Sequence, residues 1–350
     1  LGAREDRDLG TELLESHLWT AFNFQRPEVR RHRLEYIKRN AAAHNFDGYE
    51  LDFTRFIWNL PLGRERGLAH LMTDFVRDVR SALTAIGEGR GRPYTLVAHV
   101  MDSLETSLEL GQDIETWLSE GLVDVVVVGM GSMPFTLDLD SWKTVGERHG
   151  TPIYPSLNPS QMSYERMDRA SASHEHIRAA AAWWWQNEVD GIYLFNLFTQ
   201  DDVWGLAREH AYAPLEDIGD PSSLAGKDKL YGIDAARGSF AQGSGAAALP
   251  LPLDIFERRL PLNMGPDADD PRARFRIHAW TSGGSADTKV RMRLNHTLLG
   301  PVLQDGHYAA EVPAGIMRAG YNGLAVCCDA ELGKTANPMV VRNVLTSVTY

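Results

Sequence analysis

Two carboxylates two residues apart are the first residues in this sequence whose types and spacing could do chemistry. The run Phe46-Asp47-Gly48-Tyr49-Glu50-Leu51-Asp52-Phe53-Thr54-Arg55 reads as one short buried strand, with Tyr49, Leu51 and Phe53 as its apolar set. Strand side chains alternate faces, so Glu50 and Asp52 share the side opposite that set. If the apolar set packs on helices, both acids face the interior of a sheet or barrel. Burying charge without a partner is costly, so the pattern needs a reason. One account is a pair of structural acids satisfied by arginine or backbone donors. The other is a polar active centre at the carboxyl end of a barrel strand.

Hydrolysis of a glycosidic bond generally takes two carboxyl groups. Residues two apart on a strand have Cα atoms roughly 6.5–7 Å apart, so Glu50 and Asp52 can form such a pair. Alternatively the deeper Glu50 positions Asp52 and raises its pKa by like-charge repulsion. Asp52, nearer the rim, is the expected acid/base. His99 ends the next strand run, with Asp102 close behind, and reads either as an acid/base or hydroxyl ligand or as a satisfied core histidine. Asn23, Tyr154, Asn158, Tyr193 and Asn196 fall near strand ends, where amide and phenol groups suit sugar hydroxyls. Arg55 would bind an acidic sugar or orient a carboxylate, with a surface salt bridge as the alternative. Glu105, Asp201 and Asp202 are loop candidates for an opposing carboxylate. Trp19, Trp58 and Trp142 could stack on sugar faces, although tryptophan is more often core. The run Trp183-Trp184-Trp185 belongs to helix packing.

Other chemistries find little support. A formal net charge of −12 and the lack of any Lys/Arg run argue against a nucleic-acid surface. No apolar stretch approaches a membrane span. The adjacent Cys327 and Cys328 cannot staple distant segments. No metal or cofactor is expected: His174 and His176 open a helix without a third ligand and read as surface residues, and no GxSxG elbow appears. Asn295-His296-Thr297 matches a glycosylation acceptor. The chain opens on Leu1 without a signal peptide and is expected to begin inside a longer precursor, with a periplasmic or extracellular location.

The elements that position these residues follow from the apolar pattern. Residues 1–16 read as a loop or short helix, and strand-like runs begin near residues 18, 46, 94, 123, 152 and 191. Between them lie helical stretches: one opened by Pro27, one from about Glu65 to Ile86 stopped by Gly87 and Gly89, short ones around Ile114 and Ser141, and one capped by Ser173. Steady alternation implies parallel strands with right-handed crossovers. Gly87, Gly89 and Gly91 follow a helix, so a nucleotide-binding first turn fails. The fold class is α/β: a (β/α)8 TIM barrel of which this chain supplies about six units over residues 1–212. Residues 213–250, rich in Gly, Pro, Ser and Ala, read as a linker packed on the barrel. Residues 251–350 alternate in short runs separated by turns and read as an antiparallel β-sandwich. Phe275, Ile277 and Ala279 should face its core with Leu324, Val326 and Cys328, leaving Cys327 outward.

The run FDGYELDFTRF, with LVAHV, GQDIETWLSEGLVDVVVVG, PIYPSLNP and DGIYLFNLF after it, resembles a family of bacterial glycoside-hydrolase-like TIM barrels over about residues 18–210. DG-x-E-x-D also echoes the fourth-strand motif of family 18 chitinases, but Thr54 stands where that motif has its glutamate. The C-terminal region resembles galactose-binding-like modules, with Leu294-Asn295-His296 at their Leu-Asn-Gly turn. The resemblance supports a carbohydrate-active barrel without transferring a substrate-assisted mechanism; with it, the strand-end positions point to a glycoside hydrolase acting on a poly- or oligosaccharide, with Asp52, Glu50 and His99 as the expected catalytic residues. A polysaccharide lyase, or a non-catalytic carbohydrate-binding protein on a degenerate barrel, is the alternative. By the same resemblance the strands are the third to the eighth. Six strands leave two open edges, so a second polypeptide segment or subunit is expected to complete the barrel.

Overall fold

A computed structural model describes residues 22–54, 57–131, 134–158, 173–195, 197, 212–233, 248–285, 287–331 and 336–350. They fall into two compact units. The first holds the described residues within Leu1–Met130 and Asp138–Pro155, the second those within Gly131–Leu137, Ser156–Arg237 and Ala246–Tyr350. Mixed α/β structure results, with one parallel sheet and two antiparallel ones.

The parallel strands are β1 (Gly48–Asp52), β2 (Thr95–Val100), β3 (Val125–Val128), β4 (Ile153–Leu157) and β5 (Tyr193–Leu194), hydrogen-bonded in sequence order. Each strand pairs with the next, as successive βα units of a barrel do; a doubly wound sheet would reverse direction at a switch point. Ile153–Pro155 of β4 pairs with β3, and Ser156 and Leu157 pair with β5. The expected strand from residue 18 falls largely outside the described residues. Phe22 forms an isolated bridge there, and the Phe24 N–H donates to Asn59 O at 2.7 Å.

Helices in the first unit are α1 (Pro27–Ala43), α2 (Ala69–Arg90), α3 (Leu104–Glu109), α4 (Ile114–Ser119) and α5 (Leu139–His149). The apolar stripe of α2 is buried through Met72, Phe75, Val76, Val79 and Leu83, as its period requires. Gly87 and Gly89 do not stop it. The helix runs on to Arg90, and Gly91, at φ 70°, makes the left-handed cap. Gly87 answers a packing need instead, because a Cβ there would lie 2.7 Å from Arg92 O.

In the second unit Ser173 caps α6 (His174–Gln186), accepting from His176 N. The antiparallel strands are β6 (Lys229–Ile233), β7 (Leu251–Pro252), β8 (Arg258–Met264), β9 (Arg274–Ser282), β10 (Val290–Leu294), β11 (Thr297–Leu299), β12 (Val302–Gln304), β13 (His307–Glu311), β14 (Gly320–Cys328) and β15 (Val340–Thr349). One sheet runs β11-β10-β14-β8; the other runs β12-β13-β9-β15-β6, with β7 also on β15. Lys229–Ile233, inside the stretch whose composition reads as linker, is thus a strand, because its backbone finds the edge of β15. The run from 289 to 299 divides into a hairpin at Asn295 and His296, both at positive φ. The Asn295 amide nitrogen donates to Ile316 O and Asn322 Oδ1.

Phe275, Ile277 and Ala279 are buried, as are Leu324, Val326 and Cys328. Cys327 departs from its outward assignment in exposure, being 3% exposed, and both thiols are free. Alternation fixes a direction along the strand and does not by itself fix exposure.

Candidate active site

The carboxyl ends of β1, β2 and β3 bring the chemistry of the first unit together. Asp52, the last residue of β1, lies opposite His99 in the parallel ladder, and Glu50 lies opposite Val97. Asp52 Oδ1 accepts from Thr54 N at 2.8 Å and from Thr54 Oγ1 at 2.7 Å, an Asx-type turn that fixes the carboxylate at the rim. Thr54, where the chitinase motif has glutamate, therefore holds Asp52 in place. Asp52 is exposed, whereas Glu50, one pleat deeper, is half-buried.

His99 is fully buried. Its Nε2 lies 2.8 Å from Gly129 O, and a carbonyl only accepts, so Nε2 carries the proton. Nδ1 is then turned to the β1 side, 3.9 Å from Asp52 Oδ1, beyond direct hydrogen-bond reach.

Asp102 is the third ionisable member. It follows the end of β2 and precedes Ser103, whose Oγ caps α3 by accepting from Thr106 N at 3.1 Å. The Trp142 indole of α5 donates to Asp102 O at 3.0 Å, and Met130 N, just past β3, donates to Asp102 Oδ1 at 3.1 Å. Ile57, Trp58, Met101 and Met130 form an apolar cluster at these strand ends. Burial raises the Asp102 pKa to about 6, and the single Met130 N–H acts in the opposite direction without cancelling it. A carboxyl that keeps its proton up to mildly acidic pH can act as a general acid.

The remaining expected residues are placed as follows. Asn23 is buried before α1, with its Oδ1 accepting from Gln25 N at 2.9 Å as a turn former. Tyr154 is half-buried on β4 in the first unit. Asn158 and Tyr193 belong to the second unit, where Asn158 N donates to Gly131 O at 3.0 Å and Tyr193 pairs with Ser156. Arg55, Asn196, Trp19, Asp201 and Asp202 lie outside the described residues. Glu105 is exposed and pairs with Arg66 at 2.5 Å. Trp58 and Trp142 are buried packing residues. His176 is not at the surface: it is fully buried, 3.1 Å from Ser173 Oγ, and burial holds its pKa down at about 4. Among the described residues no group of three or more His, Cys, Asp or Glu is placed to hold a metal ion.

The sequence marks Thr54 only as a departure from the chitinase motif, without a role towards Asp52, and gives Asp102 no role. The available signal was position, since Asp102 is the first acid beyond a strand that ends in an inward histidine. The burial that raises its pKa is set by the packing around it and not by local spacing.

No protein-family model matches the chain, and no curated protein sequence does. Several solved structures are loosely similar. A glycoside hydrolase family 18 N-acetylglucosaminidase from Paenibacillus barengoltzii is 15% identical over 55% of this chain and 85% of its own, at a TM-score of 0.33. A family 18 chitinase from Chromobacterium violaceum is 11% identical over 88% and 70%, at 0.34. A chitinase from Bacillus thuringiensis is 9% identical over 91% and 77%, at 0.38. At such scores the chemistry must be read from the residues themselves.

Proposed function

We propose that this chain is a glycoside hydrolase whose active centre lies at the carboxyl ends of β1–β3. In this reading Asp102 is the proton donor and Asp52 the base or nucleophile. The observation that carries the reading is the placement of Asp102 just past the end of β2, the strand that pairs with the one Asp52 ends, in a setting whose burial raises its pKa to about 6. The two acids sit in different surroundings, one desolvated by burial and bonded by Met130 N, the other exposed and held by Thr54. An acid and a carboxylate so separated are what protonating a leaving oxygen and attacking or activating water require. His99, anchored through Nε2 on Gly129 O, is a positioning residue on the Asp52 side, and Glu50 lies one pleat below. Tyr154 is available for sugar hydroxyls. The outer edge of β1 has no neighbour among the described strands. A further polypeptide segment would supply the strands that complete the barrel there. Among the described residues no helix is long and apolar enough to cross a membrane; the proposed location is periplasmic or extracellular.

The test is a polysaccharide panel read by reducing-end release. Asp102→Asn and Asp52→Asn should each lower kcat at least about 100-fold, the usual scale of acid–base catalysis. Wild-type activity should fall as pH rises through about 6, where Asp102 loses its proton. Full activity in Asp102→Asn refutes its role. Unsaturated products identify a lyase instead, and binding without turnover on any polymer identifies a carbohydrate-binding protein. Size exclusion tests the completing segment, which a stable 39.0 kDa monomer with nothing bound would rule out.

A further inference from the structure

Three arginines share one face of the four-stranded sheet in the second unit, in a chain whose formal net charge is −12. The ladder pairs Arg293 with Ala325 and Ala325 with Arg259, and it pairs Arg291 with Cys327. Directly opposed residues point to the same side of a sheet, so Arg259, Arg291 and Arg293 stand around Ala325 and Cys327. Arg259 and Arg293, two strands apart, have Cα atoms roughly 10 Å apart, and Arg291 and Arg293 roughly 7 Å. The centre is low and closed, because Ala325 and Cys327 are small and buried.

Charge on this face is not balanced internally. Arg293 pairs with Glu257 at 2.9 Å, whereas Arg259 and Arg291 are exposed and have no ion-pair partner among the described residues. Tyr321 lies further along β14 on the same side and is 63% exposed. A Cβ at Gly323 would meet only the Tyr321 hydroxyl, at 3.7 Å, so the ring runs along the sheet instead of standing away from it. An exposed ring lying flat offers a stacking face, and planar guanidinium groups bind carboxylates in bidentate fashion.

We propose that this face binds an acidic glycan, with a pyranose ring on Tyr321 and carboxylates of the polymer on Arg259 and Arg291. The choice of a glycan over another polyanion rests on the glycoside hydrolase reading; the demand for negative charge does not. It would place a polyuronate-binding surface in the second unit, separate from the Asp52–Asp102 chemistry of the first.

The test is affinity electrophoresis of the full chain through gels containing polygalacturonate, a neutral galactomannan, or single-stranded DNA at matched charge. Retardation is expected in polygalacturonate alone. Arg259→Glu with Arg291→Glu should weaken it at least about tenfold, equivalent to about 1.4 kcal/mol, and Tyr321→Ala should weaken it severalfold. Replacing both arginines with lysine should retain part of the binding. If the double reversal unfolds, Arg291→Gln alone, at an exposed side chain, should still weaken retention. No retardation, unchanged retardation in these variants, or equal retardation by DNA overturns the proposal. So does a dimer that the same substitutions dissociate, since a second copy would then be the occupant. A chain that binds polygalacturonate yet hydrolyses nothing sinks the catalytic reading alone. One that cleaves a neutral glycan but ignores polygalacturonate sinks this one alone.

Discussion

Replacing Asp102 with asparagine should remove the activity, and should stabilise the protein only at pH values where the wild-type carboxyl is charged. Burial raises this group from 3.8 to about 6. The native state therefore holds the proton more tightly than the unfolded chain does. The stability this gives is fully present below about pH 3.8, is lost as pH climbs towards 6, and stays lost above that. At about 1.4 kcal/mol per pH unit the rise corresponds to about 3 kcal/mol. The carboxyl is half-buried, so a gain of about 1–3 kcal/mol is the realistic range for an uncharged isostere. Asparagine keeps an oxygen for Met130 N, so the local geometry is preserved. Urea unfolding of wild type and variant at about pH 4 and about pH 8, with the slope checked for constancy, measures the effect. The variant's advantage should grow by about 1–3 kcal/mol between the two conditions and level off above pH 6–7. A stability difference that does not change with pH would refute the reasoning, and with it the case for Asp102 as proton donor.

Asp267→Asn should cost about 3–5 kcal/mol, because Lys229 is 2% exposed and bonded to Asp267 Oδ1 at 2.6 Å, and the loss leaves a buried ammonium without its counter-charge; chemical denaturation reads it. Gly131→Ala should cost at least about 2 kcal/mol in the same assay, since Gly131 sits at φ 78° and a Cβ would lie 2.4 Å from Asn158 N. His176→Gln should flatten the loss of stability on acidification. The buried imidazole is lowered from 6.5 to about 4, so its contribution is present above pH 6.5 and is lost as pH falls towards 4. A pH titration of the unfolding midpoint that is equally steep in both proteins would contradict this.

The sequence by itself determined what repeats along the chain. The acid–apolar alternation of Gly48–Asp52, the stripe of α2, the Ser173 cap and the parallel order of the βα units were all legible, because each depends on residues within a few positions of one another. The pairing of Asp52 with His99 was half legible: both strands could be read, and the register between them could not. Only the tertiary structure decided the rest. Lys229–Ile233 is a strand because β15, more than a hundred residues later, offers an edge. Cys327 is buried despite its direction, and His176 despite its place in the first turn of a helix. Thr54 became visible only when its hydroxyl and N–H were both found on Asp52. Asp102 holds its proton to about pH 6 because the folded chain buries it just past the end of β2. Periodicity is a local property of the chain. Desolvation, which sets a pKa, depends on which distant segments exclude water from the same place.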